Sequence, residues 1–89
     1  MVTTILSHEV KNLSEWKKGF DAGEPLRQRA GIKVNGVYSS VDNSNHITII
    51  VESHSEEAVH GFLTNPKLKA AMQAAGVISE PETKILRKV

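Results

Sequence analysis

The strongest constraint on the fold is a strand pattern near the middle of the chain that is apolar on both faces. Residues 47–51 read Ile-Thr-Ile-Ile-Val and follow the turn-forming cluster at residues 42–45. A strand of this composition is covered on both sides in a folded protein. Because the chain has 89 residues and can place only one layer of helices on a sheet, we expect a second copy to cover the other face.

The flanking patterns predict two cycles of strand and helix. Strands are expected at residues 2–10, 32–41, 46–53 and 83–88. Helical patterns follow the capping residues Asn12 and Ser55, the first interrupted near residues 21–24 before Pro25 and the second bent at residues 65–66. The order βαββαβ predicts an α+β, ferredoxin-like fold: a four-stranded antiparallel sheet with helices on one face, paired with a second copy into a dimeric α/β barrel. We expect one domain over residues 1–89.

The strand patterns also suggest which side chains face the helices. We expect Ile49 in the core under the helices, and Ile50 on the sheet face that the second copy covers. From the first strand, Leu6 and Val10 are expected to share that second face.

Composition excludes several classes of function. The net charge of +1 is spread evenly along the chain, so a nucleic-acid partner or an anionic membrane surface is not expected. The chain has no cysteine, which removes disulfides, thiolate nucleophiles and thiolate metal sites. No apolar run has the length of a signal peptide or a membrane span, so we expect a cytoplasmic protein.

His8 is the main candidate for catalysis. It lies near the C-terminal end of the first strand, and the pKa of histidine suits a general base at neutral pH. We expect the first and third strands to be parallel neighbours, which would bring Glu52 and His54 to His8 so that the Glu52 carboxylate orients the imidazole. The alternative is a structural histidine that bonds a backbone carbonyl or lies at the dimer interface.

Three aromatic residues are candidates for shaping a ligand pocket. Trp16 and Phe20 lie one helical turn apart and would form its wall, although the same spacing is typical of core packing. Tyr38 would donate a hydrogen bond to a ligand, or would instead be an ordinary strand residue in water. His8, Glu52 and His54 have the chemistry of a metal site, yet no metal is predicted. No cofactor is predicted either, because phosphate-binding and dinucleotide-binding motifs are missing.

The chain resembles a known superfamily over nearly its whole length. It is similar to the dimeric α/β-barrel superfamily that includes antibiotic-biosynthesis monooxygenases and small polyketide cyclases, and above all to short bacterial members labelled cyclases. The resemblance rests on residues 8–13, Trp16, residues 20–21, 27–31 and 42–45, Glu52, Phe62, residues 66–69, Met72 and residues 75–77.

The resemblance implies a homodimer and leaves two hypotheses of function. The first is a cofactor-free enzyme of the cyclase or monooxygenase type that acts on a small aromatic or polyketide-like compound, with His8 as the proton acceptor. The second is a non-catalytic dimer that binds a small hydrophobic ligand or is purely structural. An apolar cavity of at least a few hundred Å³ beside His8 would favour the first hypothesis.

Overall fold

The computed structural model describes residues 1–89 as four strands and four short helices. In chain order the elements are β1 (Val2–Glu9), α1 (Leu13–Ala22), α2 (Glu24–Arg29), β2 (Lys33–Ser39), β3 (His46–Ser53), α3 (Glu56–Leu63), α4 (Pro66–Ala74) and β4 (Glu82–Arg87). None of these helices combines the length and the hydrophobicity that crossing a membrane requires.

The four strands form one antiparallel sheet in the order β2-β3-β1-β4. This arrangement confirms the predicted ferredoxin-like α+β fold. The predicted parallel pairing of β1 with β3 is wrong, because the two strands are antiparallel. The physical reason is the connection: the helical crossover from β1 to β2 preserves the strand direction, and the hairpin from β2 to β3 then reverses it.

The interruptions of the two helical regions lie where the sequence predicts them. Asn12 accepts a hydrogen bond from the backbone N–H of Glu15 at 3.0 Å and caps the start of α1. This helix ends at Ala22, and its cap residue Gly23 lies two residues before Pro25 of α2. Ser55 caps α3 in the same way. Asn65 caps α4, with Pro66 in its first turn. Local capping and the missing N–H of proline therefore account for the division of each region into two helices.

The core lies between the helices and one face of the sheet. Val10, Trp16, Ile47 and Ile49 form its larger cluster, and Leu6 packs against it. The prediction for Ile49 is confirmed. The prediction that Leu6 and Val10 face away from the helices is wrong, because the residues of β1 that alternate toward the helices are the even-numbered ones.

The opposite face of the sheet has no layer over it. Ile5 and Ile50 lie directly opposite each other on the two central strands of this face. Polar pairs surround them: the hydroxyls of Ser7 and Thr48 are 3.0 Å apart, and Nδ1 of His46 lies 4.0 Å from a carboxylate oxygen of Glu9. We call this surface the open face.

Candidate functional site

An apolar cavity lies between the helices and the covered face of the sheet. Its volume is about 100 Å³, and 14 of its 19 lining residues are hydrophobic. All four helices contribute to the lining, with Phe62, Leu68 and Met72 among the residues from α3 and α4. The cavity lies beside His8, but it is smaller than the few hundred Å³ that would favour the enzyme hypothesis.

His8 is a buried polar residue in the wall of this cavity. Its side chain is 3% exposed, and neither Nδ1 nor Nε2 has a hydrogen-bond partner within the protein. A structural histidine would bond a backbone carbonyl or lie at the dimer interface. His8 has no such bond, and it faces the helices rather than the open face. The first form of the structural alternative therefore disagrees with the geometry, and the second stays a prediction.

The surroundings of His8 favour the neutral imidazole. Burial lowers the pKa of His8 below its usual 6.5, and the nearby His46 lowers it further. At neutral pH the ring therefore has one nitrogen with a lone pair and one that carries a proton. An uncharged imidazole with a free lone pair is the form that accepts a proton from a bound molecule.

Three aromatic rings in contact, that of His8 among them, form this part of the cavity wall. The imidazole of His8 packs edge-on against Trp16, with ring centroids 5.8 Å apart. Trp16 stacks on Phe20 at 4.9 Å, and both rings line the cavity. Trp16 is 2% exposed and belongs to the core cluster. The two interpretations of this pair therefore coincide, since the same rings fill the core and form the cavity wall.

Arg27 is a cavity residue that the sequence analysis did not single out. Its guanidinium lies over the ring of Phe20, 3.9 Å from the centroid, and Nη2 donates to the carbonyl oxygen of Phe20 at 2.7 Å. Nε and Nη2 also donate to a carboxylate oxygen of Glu24. The side chain thus caps the C-terminal end of α1. This role depends on the helix break at Gly23, which brings Arg27 back to Phe20. The only sequence signal for the contact is that the two residues are seven positions apart.

Thr4 is a second cavity residue that the sequence analysis missed. It lies on β1 four residues before His8, so alternation along the strand puts both side chains on the covered face. Its Oγ1 has no hydrogen-bond partner within the protein. Thr4 and His8 together hold every buried side-chain nitrogen or oxygen that lacks a partner in this structure.

The structure does not bring Glu52 or His54 to His8. Because β1 and β3 are antiparallel, Glu52 pairs with Thr3, about 16 Å along the strand from His8. The Glu52 carboxylate lies on the open face, where it accepts a hydrogen bond from the side chain of Asn35. His54 follows β3 at the same distant end and is exposed. The predicted contact of these two residues with His8 is wrong.

Tyr38 also lies away from the cavity. It pairs with Thr48, its ring packs over Gly36, and it is 56% exposed. This position is on the open face, because the preceding residue Val37 packs against the core. The prediction that Tyr38 contacts a ligand beside His8 is therefore wrong for this cavity.

The structure contains no group of three or more histidine, aspartate or glutamate side chains placed to hold a metal ion. The set considered from the sequence is dispersed, because Glu52 and His54 lie at the opposite end of the sheet from His8.

No protein-family model and no curated protein matches this chain. Solved structures do match it. A candidate antibiotic biosynthesis monooxygenase from Bordetella bronchiseptica is 18% identical with a TM-score of 0.82, and the match covers 99% of this chain and 96% of that one. A candidate enzyme of the same description from Deinococcus radiodurans is 15% identical with a TM-score of 0.74, over 100% and 93% of the two chains.

These matches define a class by fold. The chain has the ferredoxin-like fold of the antibiotic biosynthesis monooxygenase structures. Among the similar structures is a variant of SnoaB, a cofactor-independent oxygenase from Streptomyces nogalater, which is 20% identical with a TM-score of 0.73 over 99% of this chain and 94% of that one. The resemblance noted in the sequence is confirmed at the level of the fold.

Proposed function

We propose that this protein is a cofactor-free enzyme of the monooxygenase type, in which His8 removes a proton from a small apolar, aromatic compound. The observation that carries the proposal is the imidazole itself: it is buried, has no hydrogen-bond partner in the protein, and lines an apolar cavity. Burying such a group without a partner costs stability. A bound molecule with an acidic O–H or C–H group would supply the missing partner.

The chemistry that this site supports begins with proton transfer. The neutral imidazole accepts a proton from the acidic carbon or hydroxyl, leaving an electron-rich substrate anion. In a monooxygenase-type reaction without a cofactor, that anion supplies the electrons to dioxygen. A methylene carbon then loses both hydrogens and gains one oxygen atom as a carbonyl, and the second oxygen atom leaves as water. The fold similarity to SnoaB, described as a cofactor-independent oxygenase, supports this reaction type.

Proton abstraction is testable before the natural substrate is known. We would incubate the protein with a panel of phenols and aromatic ketones that have an acidic carbon, in D₂O without dioxygen, and follow deuterium incorporation by NMR. Dioxygen uptake by the same compounds would then be measured with an oxygen electrode. The variant His8→Phe keeps an aromatic ring of similar size and removes both nitrogens. His60→Phe on the exposed side of α3 is the matched control.

The expected result is that wild type and His60→Phe accelerate exchange, and that His8→Phe is slower by about 10² to 10⁴, the usual contribution of a general base. Because burial lowers the pKa of His8, the rate should be independent of pH near neutrality and fall only as the pH drops below 6.5. Equal exchange rates in wild type and His8→Phe would contradict the proposal.

The cavity volume favours the alternative hypothesis of a non-catalytic dimer that is purely structural or binds only a very small hydrophobic ligand. About 100 Å³ is below the roughly 300 to 1,000 Å³ of typical ligand sites. A binding protein would take up a small aromatic molecule, detected by calorimetry, and would show neither deuterium exchange nor dioxygen uptake with any bound compound.

The proposal includes a homodimer formed through the open face. Ile5 and Ile50 lie at its centre, and Tyr38 and Leu86 are large exposed hydrophobic residues on its flanks. Apolar side chains in the middle of an uncovered sheet favour association with a second sheet of the same kind. Sedimentation at micromolar concentration should give the mass of a dimer, and a monomer would contradict this part of the proposal.

A further inference from the structure

Thr4 is a polar residue of the cavity that the proposed reaction does not use and, unlike Arg27, it has no hydrogen-bond partner. Its side chain is 1% exposed, and Oγ1 has no partner in the protein. Valine has nearly the same shape and would fill this position without burying a hydroxyl. The fold therefore gains nothing from the oxygen atom, which is costly to bury without a hydrogen bond.

Three other hydroxyls in the sheet are hydrogen-bonded within the protein. The buried Ser53 donates through Oγ to the carbonyl oxygen of Ser55 at 3.1 Å, and the hydroxyls of Ser7 and Thr48 bond each other. Thr4 differs from them because it faces the cavity. The position of its hydroxyl thus points to a partner inside the cavity.

We propose that Thr4 is a second anchor for the ligand, so that the site selects molecules with oxygen atoms at both ends. This inference rests on the proposed function, in which His8 binds one end. Four residues of strand separate the two side chains by about 13 Å. With both hydrogen bonds, of about 2.8 Å each, directed toward each other along the strand, the ligand oxygen atoms lie roughly 7 to 8 Å apart. Leu6 lies between the anchors and requires an apolar middle.

These requirements define a flat molecule of about two fused rings with an oxygen substituent at each end. Such a molecule needs more room than the cavity of about 100 Å³ provides. The helices over the cavity are the part that can move, because Leu68 and Met72 of α4 line the cavity although no residue of that helix is buried. We therefore expect binding to move α4 outward while β1 stays in place.

The test compares two probe compounds, 2-naphthol and 2,6-dihydroxynaphthalene, by isothermal titration calorimetry. The second compound has the oxygen spacing that the two anchors require, and the first lacks one oxygen. The proteins are wild type, Thr4→Val and Thr3→Val, the last a matched control on the opposite face of β1. Thermal melts check that each variant is folded, and Thr4→Val should be at least as stable as wild type.

We expect wild type and Thr3→Val to bind the diol about five to ten times more tightly than 2-naphthol, the effect of one neutral hydrogen bond. Thr4→Val should bind the two compounds equally. Equal binding by wild type would overturn the inference and indicate that water alone satisfies the hydroxyl. A diol preference that survives in Thr4→Val, or no binding of either compound, would overturn it as well.

The calorimetric test of Thr4 can succeed or fail independently of the exchange experiment that tests the proposed function. If Thr4→Val abolishes the diol preference while His8→Phe leaves deuterium exchange unchanged, the anchor stands and the enzyme proposal fails. If exchange depends on His8 while Thr4→Val changes nothing, the enzyme proposal stands and the anchor fails.

Discussion

Replacing Trp16 with alanine tests whether one aromatic ring both holds the core together and forms the cavity wall. Removing a buried tryptophan or phenylalanine ring costs about 3 to 5 kcal/mol. We expect the upper part of this range, because Trp16 is almost fully buried, stacks on Phe20 at 4.9 Å and contacts His8 edge-on at 5.8 Å. Aromatic pairs of this kind contribute about 0.5 to 1.5 kcal/mol each beyond the buried area.

A loss of about 4 to 5 kcal/mol is a large part of the roughly 5 to 10 kcal/mol expected for a domain of this size. At about 4 to 8 °C per kcal/mol, the melting temperature should fall by at least about 16 °C. Because Trp16 is the only tryptophan, unfolding must be followed by far-ultraviolet circular dichroism rather than by fluorescence. Trp16→Phe is the control and should lose much less, since it keeps a ring against Phe20. A loss below about 1 kcal/mol for Trp16→Ala would refute the placement of this ring in the core.

Three further predictions concern titration, association and packing. Burial lowers the pKa of His8, so the unfolded chain binds a proton more readily than the folded one. The contribution of His8 to the free energy of unfolding, measured in urea, should be fully present above pH 6.5 and fall as the pH drops toward the lower pKa of the folded state. His8→Phe should not show this pH dependence. Ile50→Asp should shift sedimentation from dimer to monomer while the chain stays folded, whereas Ile49→Asp should unfold it, and the reverse pattern would show that the strand faces are misassigned. Gly19→Ala should lower the urea midpoint, because the added Cβ would lie 2.8 Å from the Cβ of Ala75, the residue that follows α4. Gly61→Ala meets nothing within 4 Å and should raise the free energy of unfolding by up to about 1 kcal/mol.

Local features of the fold were predictable because they depend on neighbouring residues. Asn12 followed by Glu15 defines a helix start, and Pro25 and Pro66 define where helices are interrupted or begin again. These effects act within one turn of helix, so the sequence contains all the information they need. The bounds of the strands differ from the prediction by one or two residues at most ends, where pairing partners decide the last hydrogen bond.

The faces of β1 were assigned wrongly in the prediction, although hydrophobicity favours the observed arrangement. The even-numbered set contains three aliphatic residues, Val2, Leu6 and Val10, whereas the odd-numbered set contains only Ile5. The more apolar set packs against the core under the helices, whereas the prediction places it on the open face. The direction of β3 relative to β1 follows from chain connectivity, and the expectation of parallel strands gave Glu52 a role at the wrong end of the sheet.

The candidate site was predictable in part because some of its residues lie on elements that are adjacent in the sequence. His8, Trp16 and Phe20 come together because the strand and helix that contain them are adjacent in sequence. Thr4 carries no signal of its own, since a threonine in a strand is usually an ordinary β-forming residue. Its importance emerges only when the absence of a hydrogen-bond partner is known.

The origin of the cavity lining has a consequence for how such a protein diversifies. The two partnerless polar residues belong to β1, which is hydrogen-bonded to a neighbouring strand on each side, whereas much of the apolar lining comes from the short helices α3 and α4. Exchanging Leu68 or Met72 for larger or smaller side chains would change which molecules fit without displacing the imidazole. Evolution, or a directed library confined to α4, can therefore vary the shape of the cavity while keeping the same buried imidazole.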